Sequence, residues 1–385
     1  VLPYQLSSNT HLTTTFSGSV LVTADVSGTL ATNGTATAVS LTQAGQVARL
    51  TFTGTAARDL TLSLSSVAMP GLTYLNYQIN RPGGTSLSTG YCYAAGNGCA
   101  LVAYALPASG TYAVVFTPYV SATTGSFSVQ AWESSRVTGT LTVGTANTYT
   151  STVAGQVVQK TFSGTAGQQR GLTLSGFSTS VSGATLNVIV LKPDGTQLTN
   201  NNFTAAQTSP TAFVVDLPVL PTTGSYTVQV LPYQWSSNNY LTTTFSGQVL
   251  VTADVSGTLA TNGTATAVTL AQAGQVARLT LAGTAGRDLT LYVSSVAMTG
   301  LSYLNYQVKK PDGTALTSGY CYPTGNGCAL AAYALPASGT YEIVFTPYPA
   351  ATSGSFNVQA WESSRVTGTL TVGTANTYTS TVAGQ

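Results

Sequence analysis

Residues 105–118 read ALPASGTYAVVFTP, and nearly the same letters recur at residues 334–347 as ALPASGTYEIVFTP. A looser copy, VLPTTGSYTVQVLP, occupies residues 219–232. In each copy the proline restricts φ and the glycine supplies backbone freedom, a combination that is typical of a turn. The alternating apolar residues that follow predict a strand with every second side chain on one sheet face. These three stretches therefore indicate a β-module that occurs repeatedly along the chain.

Comparison of the three copies predicts which face of this strand is buried. The positions between the apolar residues vary, as at Ala113, Thr227 and Glu342. The alternate positions keep large apolar or aromatic residues, so we expect them to face the core. The residues of this face are Tyr112, Val114, Phe116, Tyr226, Val228, Val230, Tyr341, Ile343 and Phe345.

The chain repeats itself over most of its length. Residues 1–156 align without a gap to residues 230–385 with 29 differences, which leaves 127 identical positions. A shorter period is marked by four copies of Val-x-Gly-Thr-Leu, which begin at residues 26, 137, 255 and 366. Self-similarity over such lengths indicates a tandem array rather than one large fold.

The marks divide the chain into two alternating module types, A and B. The predicted limits are a C-terminal fragment of B at 1–25, A at 26–136, B at 137–254, A at 255–365 and an N-terminal fragment of B at 366–385. Each whole module carries about seven or eight short strand signals and no segment of helical period. Turns such as Lys192-Pro-Asp-Gly-Thr196 predict hairpins between these strands. We therefore expect an all-β fold, a tandem array of antiparallel β-sandwiches of immunoglobulin-like or jelly-roll-like type.

The modules follow one another without a linker rich in proline, glycine or serine. The segment Ala-Trp-Glu-Ser-Ser-Arg at residues 131–136 runs directly into the next module, and it recurs at residues 360–365. We expect a stiff joint at which the tryptophans pack and the charged residues form a polar seam. The alternative is that each tryptophan only closes its own module. The junction residues are Trp132, Glu133, Arg136, Trp361, Glu362 and Arg365.

Charged residues make up only 6% of the chain, against about 25% in ordinary soluble proteins. A net charge of +2 over 385 residues provides no basic stripe, which argues against nucleic acid and anionic membranes as partners. No apolar run reaches the ~18 residues of a membrane helix, so no membrane insertion is expected. Low charge also provides little repulsion between copies, which favours self-assembly. The plainer interpretation is a neutral, soluble secreted surface.

Two cysteine pairs recur in the A modules. Cys92 and Cys99 flank a Gly-Asn-Gly turn, and Cys321 and Cys328 repeat the arrangement. We expect each pair to form a local disulfide, worth about 2–2.5 kcal/mol for so short a loop. Disulfides indicate an oxidising, extracellular or cell-surface location. The alternative is a free thiol pair or a metal site, but no histidine or acidic cluster accompanies the pair and structural zinc prefers four ligands.

Catalytic and metal-binding patterns are missing from the sequence. The single histidine, His11, is replaced by Tyr240 in the second copy, so a histidine-dependent catalytic device or metal site is not expected. The recurring Asp59 and Asp288 stand beside arginines, which is typical of surface ion pairs. No calcium loop and no nucleotide-binding glycine motif occur, so neither a metal nor a cofactor is expected. A paired-carboxylate glycosidase site stays open, because such residues can meet in space.

Tyrosine is abundant in the A modules, and two interpretations are open. Tyrosine and asparagine loops can form a platform on which sugars stack. The preferred interpretation is that these tyrosines are half-buried sheet residues in a chain that avoids charge. The candidate ligand loop comprises Tyr91, Tyr93, Asn97, Tyr320, Tyr322 and Asn326, and further tyrosines of the first A module are Tyr74, Tyr77, Tyr104 and Tyr119.

The Lys-Pro-Asp-Gly-Thr turn followed by Leu-Pro-x-x-Gly-x-Tyr-x-Val resembles the bacterial pre-peptidase C-terminal (PPC-like) β-sandwich modules. It is also similar to the tandem sandwich repeats of giant extracellular surface, adhesin or filament proteins. The resemblance covers each module. It implies non-catalytic domains of secreted proteins, some of which bind calcium or matrix polymers. This chain departs from the pattern in lacking clustered acidic residues, so calcium binding is not expected.

Together these features predict a non-catalytic structural segment of an extracellular bacterial surface rod, stalk or filament. Its expected partners are other copies of itself, through charge-poor, threonine-rich surfaces. The alternative is an adhesin that binds carbohydrate or another surface, such as cell-surface glycans, through the tyrosine-rich, disulfide-stapled loop of the A module.

Overall fold

The computed structural model describes residues 15, 17–18, 20–93, 98–103, 105–119, 123–208, 212–233, 242–323, 327–383 and 385. Five residues named above lie outside the described part: His11, Asn97, Tyr104, Tyr240 and Asn326. The described chain is almost entirely strand and turn, with one short 3-10 helix, Ala205–Thr208. Within this part, no helix is long and apolar enough to cross a membrane.

The first group of strands builds two sheets, with strand orders β1-β3-β8-β5-β6 and β2-β9-β4-β7. The strands are β1 Val26–Thr29, β2 Thr37–Leu41, β3 Ala48–Gly54, β4 Asp59–Ala68, β5 Tyr74–Asn80, β6 Ser86–Tyr93, β7 Gly98–Ala103, β8 Gly110–Pro118 and β9 Gly125–Ser134.

The second group forms two four-stranded sheets, β10-β17-β12-β15 and β11-β16-β13-β14. Its strands are β10 Asn147–Thr150, β11 Val158–Gly164, β12 Arg170–Thr179, β13 Thr185–Leu191, β14 Gln197–Thr204, β15 Phe213–Asp216, β16 Gly224–Tyr233 and β17 Phe245–Ala253.

The third group repeats the sheets of the first, as β18-β20-β25-β22-β23 and β19-β26-β21-β24. Its strands are β18 Val255–Thr258, β19 Thr266–Leu270, β20 Ala277–Gly283, β21 Asp288–Ala297, β22 Tyr303–Lys309, β23 Ala315–Cys321, β24 Gly327–Ala334, β25 Gly339–Tyr348 and β26 Gly354–Ser363. Each sheet is drawn from one group, so the predicted tandem array of β-sandwiches is confirmed.

By their contacts the residues form two compact units. The first unit comprises Val1–Ala56, Leu62–Cys99 and Leu106–Ala131. The second unit comprises Ala57–Thr61, Ala100–Ala105 and Trp132–Gln385, and so holds the second and third strand groups together. This division does not test the predicted module limits, which stay predictions.

The apolar face predicted from the repeated stretch is buried. All nine of its residues, from Tyr112 to Phe345, are at most 2% exposed. Aromatic contacts join the two sheets of a sandwich: Phe345 of β25 and Phe356 of β26 meet edge to face with ring centroids 5.4 Å apart. Phe116 and Phe127 make the same contact at 5.3 Å in the first group. These T-shaped pairs suit the charge distribution of the rings.

The tyrosine of the Leu-Pro-x-x-Gly-x-Tyr stretch ties the strand back to its own turn. The Tyr112 hydroxyl donates to the Ala108 carbonyl at 2.7 Å, so the phenol oxygen of a fully buried ring keeps a partner. The same bond recurs at 2.7 Å in the other copies, between Tyr226 and Thr222 and between Tyr341 and Ala337.

Two features of the structure require a glycine at position 110, namely its backbone conformation and its close packing. Gly110 has φ of 146°, a conformation that side-chain-bearing residues rarely adopt. A Cβ at this position would also lie 2.8 Å from Pro82 Cγ, in the turn between β5 and β6. The turn at residues 81–85 is closed by a hydrogen bond from Arg81 N to Thr85 O. The predicted hairpin turn and the predicted strand start are therefore packed directly on each other.

Not every pairing is antiparallel, and this differs from the expectation. The Val-x-Gly-Thr-Leu mark forms β1 and β18, which run parallel to β3 and β20. In the second group the same mark makes isolated parallel bridges, Val137 to Val158 and Thr140 to Thr161. Parallel pairing at this point follows from a connection long enough for the chain to cross to the other sheet, through β2 or β19, before it returns.

Replacing Tyr341 by phenylalanine is expected to lower the free energy of unfolding of the third strand group by about 1 kcal/mol. The ring keeps its packing, but the bond to the Ala337 carbonyl is lost. Urea denaturation, followed by hydrogen exchange of peptides from β25, measures the change. The control is Tyr322→Phe, whose phenol is 56% exposed and which should leave the midpoint unchanged. Equal midpoints for both variants would contradict an anchoring role of the bond.

Candidate functional site

The outer face of strands β6, β5 and β8 carries three rows of side chains, with one residue from each strand in every row. The alternate residues of these strands, including Leu75, Ile79 and Cys92, point into the core. Strand register and backbone hydrogen bonds align the rows. These nine residues are here called the outer A face. Written as cross-strand neighbours, its rows are Tyr93, Tyr74 and Tyr119; Tyr91, Asn76 and Thr117; and Thr89, Gln78 and Val115.

The second A copy repeats this surface. Its rows are Tyr322–Tyr303–Tyr348, Tyr320–Asn305–Thr346 and Ser318–Gln307–Val344. Only Thr89, which becomes Ser318, differs among the nine positions. Asn76 and Gln78 were not singled out from the sequence. Their alternation with the buried Leu75 and Ile79 is the signal that identifies them as surface residues.

The tyrosines of the outer A face form a ring cluster. Tyr74 and Tyr119 stack with centroids 4.2 Å apart and planes 20° from parallel. Tyr91 lies tilted at 50° to Tyr74 and edge-on at 76° to Tyr93. The faces of the Tyr91 ring are thus not covered by a parallel neighbour in this cluster. In the second copy Tyr303 stacks on Tyr348 at 4.6 Å in the same way.

The preferred interpretation of these tyrosines as half-buried residues is wrong for most of the cluster. Tyr91, Tyr93 and Tyr119 are 56%, 59% and 49% exposed. In the second copy Tyr320, Tyr322 and Tyr348 are exposed to the same degree. The reason is that strand alternation places them opposite the core-facing residues, which the sequence pattern around the cysteines did not reveal. Tyr77 and Tyr306 are half-buried, as expected.

Two phenols at the centre of these clusters, Tyr74 and Tyr303, have raised pKa values. Partial burial, followed by the neighbouring Tyr119, Tyr93 and Tyr91, raises the pKa of Tyr74 above its ordinary value. Partial burial and the neighbouring Tyr348, Tyr320 and Tyr322 likewise raise the pKa of Tyr303. The hydroxyl groups of Tyr74 and Tyr303 are therefore uncharged at physiological pH, and an uncharged phenol both donates and accepts hydrogen bonds.

A shallow groove lies beside the tyrosines in both copies. The first has a volume of about 330 Å³ and is lined by Asn76, Tyr77, Gln78, Thr89, Gly90, Tyr91, Val115 and Thr117. The second has a volume of about 410 Å³ and is lined by the equivalent residues, together with Asp216, Arg278 and Lys309. The side chains that Gly90 and Gly319 lack would lie on the opposite, core side of the sheet, against the rings of Tyr77 and Tyr306.

Each tyrosine pair is held by a disulfide. The structure joins Cys92 to Cys99 and Cys321 to Cys328, with Cα atoms 5.8 and 5.7 Å apart. Cys92 points into the core and is 2% exposed, so its neighbours Tyr91 and Tyr93 must point outward. The disulfide thus links β6 to β7 directly beneath the tyrosines. It also indicates an oxidising compartment outside the cytoplasm.

The second strand group presents a different surface at the equivalent positions. There Asn187 takes the place of Asn76 and is 4% exposed. Its amide donates to the side-chain oxygens of Asn200 and Asn202 and to the Asn201 carbonyl. In the A modules Gln78 Nε2 donates to Asn80 Oδ1 at 2.7 Å and Asn305 Nδ2 donates to the Thr346 carbonyl at 3.3 Å, but Gln78 is exposed and Asn305 is only half-buried.

The modules are joined by a repeated glutamine contact that sequence reasoning missed. In four of the five Ala-Gly-Gln motifs, all but the one at residues 166–168, the glutamine amide donates to a backbone carbonyl of the segment entering the module, at 2.7–3.0 Å. The pairs are Gln46 to Ala24, Gln156 to Ser135, Gln275 to Ala253 and Gln385 to Ser364. The repetition of the motif at fixed distance from each joint was the available signal.

Within the second unit, the third strand group rests directly on the second. Thr173 Oγ1 donates to Ala273 O at 2.9 Å, and Gln272 Nε2 donates to Gly144 O at 2.6 Å. Arg278 pairs with Asp254 at 2.7 Å, and both side chains are at most 10% exposed. These contacts leave this joint without a free linker.

The expectation of surface ion pairs is wrong for Asp59, which is buried, whereas the Asp288–Arg365 pair is largely exposed. Asp59 is 1% exposed and receives two bonds from Arg136, at 2.8 and 2.9 Å, and one from the Ala105 N–H at 2.7 Å. Arg136 also donates to Gln159 of β11 at 2.6 Å. Asp288 likewise receives two bonds from Arg365, at 2.9 and 3.1 Å, but this pair is more open, with side chains 21% and 61% exposed. The expected polar seam therefore involves Arg136 and Arg365, with the aspartates as their partners.

The tryptophans and glutamates of the junction occupy strand ends. Trp361 lies over Gly263 of its own module, where a Cβ would be 2.7 Å from Trp361 Cε2, as in the alternative that each tryptophan closes its own module. Trp132 and Glu133 are half-buried on β9. Glu362 accepts a bond from Thr284 N at 3.1 Å. Among the described residues, no three histidine, cysteine or acidic side chains are grouped to hold a metal.

Neither the family models nor the curated proteins compared with the chain give a match. Among solved structures, a pre-peptidase C-terminal domain of a Bacillus anthracis collagenase is similar over 29% of this chain and 99% of its own, with 16% identity and a TM-score of 0.23. The Aeromonas hydrophila lysozyme inhibitor PliG matches over 28% of this chain and 99% of its own, with 16% identity and a TM-score of 0.19. The CUB1-EGF-CUB2 domain of human MASP-1/3 matches over 57% of this chain and 99% of its own, with 8% identity and a TM-score of 0.20.

Replacing Arg136 by alanine is expected to lower the free energy of unfolding by about 2–4 kcal/mol, because the buried Asp59 carboxylate loses its counter-charge. Arg49→Ala is the matched control, because Arg49 also pairs with an aspartate at a joint but is 54% exposed. That change should cost less than about 1 kcal/mol. Urea denaturation of the whole chain compares the two variants. Similar losses for both would mean that burial of Asp59 does not govern the joint.

Proposed function

We propose that this chain is a segment of a non-catalytic structural repeat protein, which forms a rod, stalk or filament on a bacterial surface. The modules would belong to the PPC-like sandwich type, whose turn and strand motifs they resemble. The observation that carries the proposal is the joint. The same glutamine contact recurs at four joints, and an arginine–aspartate pair accompanies each predicted joint.

A joint of this kind suits a load-bearing array. A flexible linker would allow modules to move independently, whereas repeated hydrogen bonds and buried ion pairs hold a preferred arrangement. The disulfide in each A module adds resistance to unfolding outside the cell. An extracellular location is part of the proposal, and it is supported by the two disulfides.

Self-association through charge-poor surfaces is the second part of the proposal. Exposed strand positions such as Ser40, Thr53 and Thr269 carry small, uncharged polar side chains. Surfaces with 6% charged residues repel one another little, so copies can pack side by side or end to end.

We expect the purified chain to associate, and lysines at exposed strand positions to prevent this by charge repulsion. The variant Ser40→Lys/Thr53→Lys/Thr269→Lys should stay monomeric in sedimentation velocity at low salt and recover association at high salt. Asparagine at the same three positions is the control and should behave like the wild type. Electron microscopy of both samples, beside native surface material, tests for regular fibres. A wild-type chain that stays monomeric and forms no fibres would overturn the assembly proposal.

A second candidate function is adhesion through the tyrosine-rich, disulfide-stapled loop of the A module. The observation that favours it is the exposure of Tyr91, Tyr93, Tyr320 and Tyr322, each 56% or 59%. Solvent-exposed aromatic clusters on a low-charge surface are typical of binding sites.

Alanine at Tyr91, Tyr93, Tyr320 and Tyr322 together is expected to abolish adhesion of beads coated with the chain to a glycan-bearing surface. The ring faces and hydroxyls that would contact the surface are removed, and the disulfides beneath them remain. Phenylalanine at the same positions is the control, which keeps the rings and loses only the hydroxyls. Undiminished adhesion of the alanine variant would exclude the loop as the recognition site.

A further inference from the structure

The outer A face combines an exposed aromatic ring with amide side chains at one level of the sheet. Tyr91 stands opposite Asn76 in the strand register, and Gln78 stands opposite Thr89 one row away. Neighbouring strands lie about 4.8 Å apart, so the rows span roughly 10 Å across β6, β5 and β8. The groove lies between these side chains, over the backbone of Gly90.

We propose that this groove, in both A modules, binds an uncharged glycan. A pyranose ring would stack on Tyr91 or Tyr320, and the amides of Asn76 and Gln78, or their equivalents, would bind neighbouring hydroxyl groups. The inference rests on the second candidate function and moves its recognition site from the loop to the sheet face. The loop tyrosines Tyr93 and Tyr322 then border the site rather than form it.

The chemistry of the lining selects this class of ligand. None of the eight residues that line the first groove is charged, so nothing in it favours a polyanion or a polycation. Ring faces bind the apolar C–H face of a sugar, and amides can donate and accept at once, as vicinal hydroxyl groups require. Volumes of 330 and 410 Å³ fall within the ~300–1,000 Å³ of small-molecule sites.

The glycines at positions 90 and 319 make room for the half-buried rings of Tyr77 and Tyr306 beneath the groove. A Cβ at Gly319 would lie 2.6 Å from the Tyr306 hydroxyl, because that ring extends across the glycine on the core side of the sheet. Glycine within a strand weakens it, and it often marks a place of close approach. Seven of the eight lining residues are identical in the two copies.

Each of the two cations that line the second groove is paired with a carboxylate. Arg278 pairs with Asp254 and also approaches Asp216 at 3.3 Å. Lys309 pairs with Glu342 at 2.9 Å. The lining residues that the two grooves share are all uncharged, so both grooves suit the same neutral ligand.

The second strand group provides an internal contrast. At the equivalent rows it carries Asn202–Asn187–Leu231, with no tyrosine in that row. Asn187 is only 4% exposed, with its amide bonded to Asn202 and to the Asn201 carbonyl, whereas Asn76 and Asn305 are half-buried. We therefore expect two glycan sites in this chain, one in each A module, and none on the equivalent face of the B module.

The test uses the whole chain and defined probes. Affinity gel electrophoresis with mixed-linkage β-glucan, xyloglucan, galactomannan, xylan and glycogen identifies a neutral polysaccharide that retards the chain, with heparin as a charged comparison. Isothermal titration with a hexasaccharide of the retarding polymer should then give two sites per chain. Retardation by heparin alone, or by none of the polymers, would overturn the proposal.

Variants then locate the sites. Gln78→Ala should reduce the stoichiometry from two to one, or weaken one site about tenfold, which corresponds to about 1.4 kcal/mol. Gln78→Ala/Gln307→Ala should affect both sites. If these positions also disturb folding, Asn76→Gln/Asn305→Gln tests the same face by filling the groove. Ser128→Ala/Asn357→Ala, on the opposite sheets, is the control that should keep two sites.

The loop variant Tyr93→Ala/Tyr322→Ala separates this proposal from the one on which it rests. Loss of binding in the glutamine variants, with binding kept in the loop variant, supports the groove. Loss in the loop variant alone would overturn the groove and leave loop-mediated adhesion standing. Undiminished binding in both sets would overturn the groove and the loop together.

Discussion

The hydrogen bond from a buried tyrosine to its own turn holds each module together. Tyr112, Tyr226 and Tyr341 are fully buried, and each hydroxyl reaches the carbonyl of the residue after the turn proline. A buried phenol without a partner would be costly, so the bond dictates where the turn must lie. The glycine between them packs on the proline of the preceding hairpin, as Gly110 does on Pro82. The hairpin turn and the start of the tyrosine strand, which are separate in the sequence, are thereby packed against each other.

The position of the buried tyrosine strand divides each sheet into an inner and an outer face. Once the tyrosine strand is placed, alternation assigns the core residues of its neighbours as well. Cys92 then faces the core, which brings Tyr91 and Tyr93 to the surface above the disulfide. The stability of the core and the exposure of the candidate site are consequences of the same register. A site built on three paired strands is more rigid than one built on a loop.

Several of the few charged residues in this chain form ion pairs at the joints between modules. Asp59 and Arg136 are placed at a strand end and bond one another in a largely buried position, whereas Arg49 pairs with Asp25 in the open. A buried ion pair makes any other arrangement of the joint energetically costly, because a displaced carboxylate would be left without its counter-charge. Neutral contacts, above all the glutamine of the Ala-Gly-Gln motif beside each joint, complete the joints.

The sequence by itself determined the β-class, the tandem repeats, the buried face and the hairpin turns, because these depend on local patterns of period two and on turn residues. Only the tertiary structure decided that β1 pairs in parallel, that Asp59 binds Arg136 and that the tyrosines are exposed. These features depend on residues far apart in the chain. Asp59 and Arg136 are separated by 77 positions, and no local pattern records such a meeting. The groove is likewise a product of three strands, so no single stretch of sequence contains it.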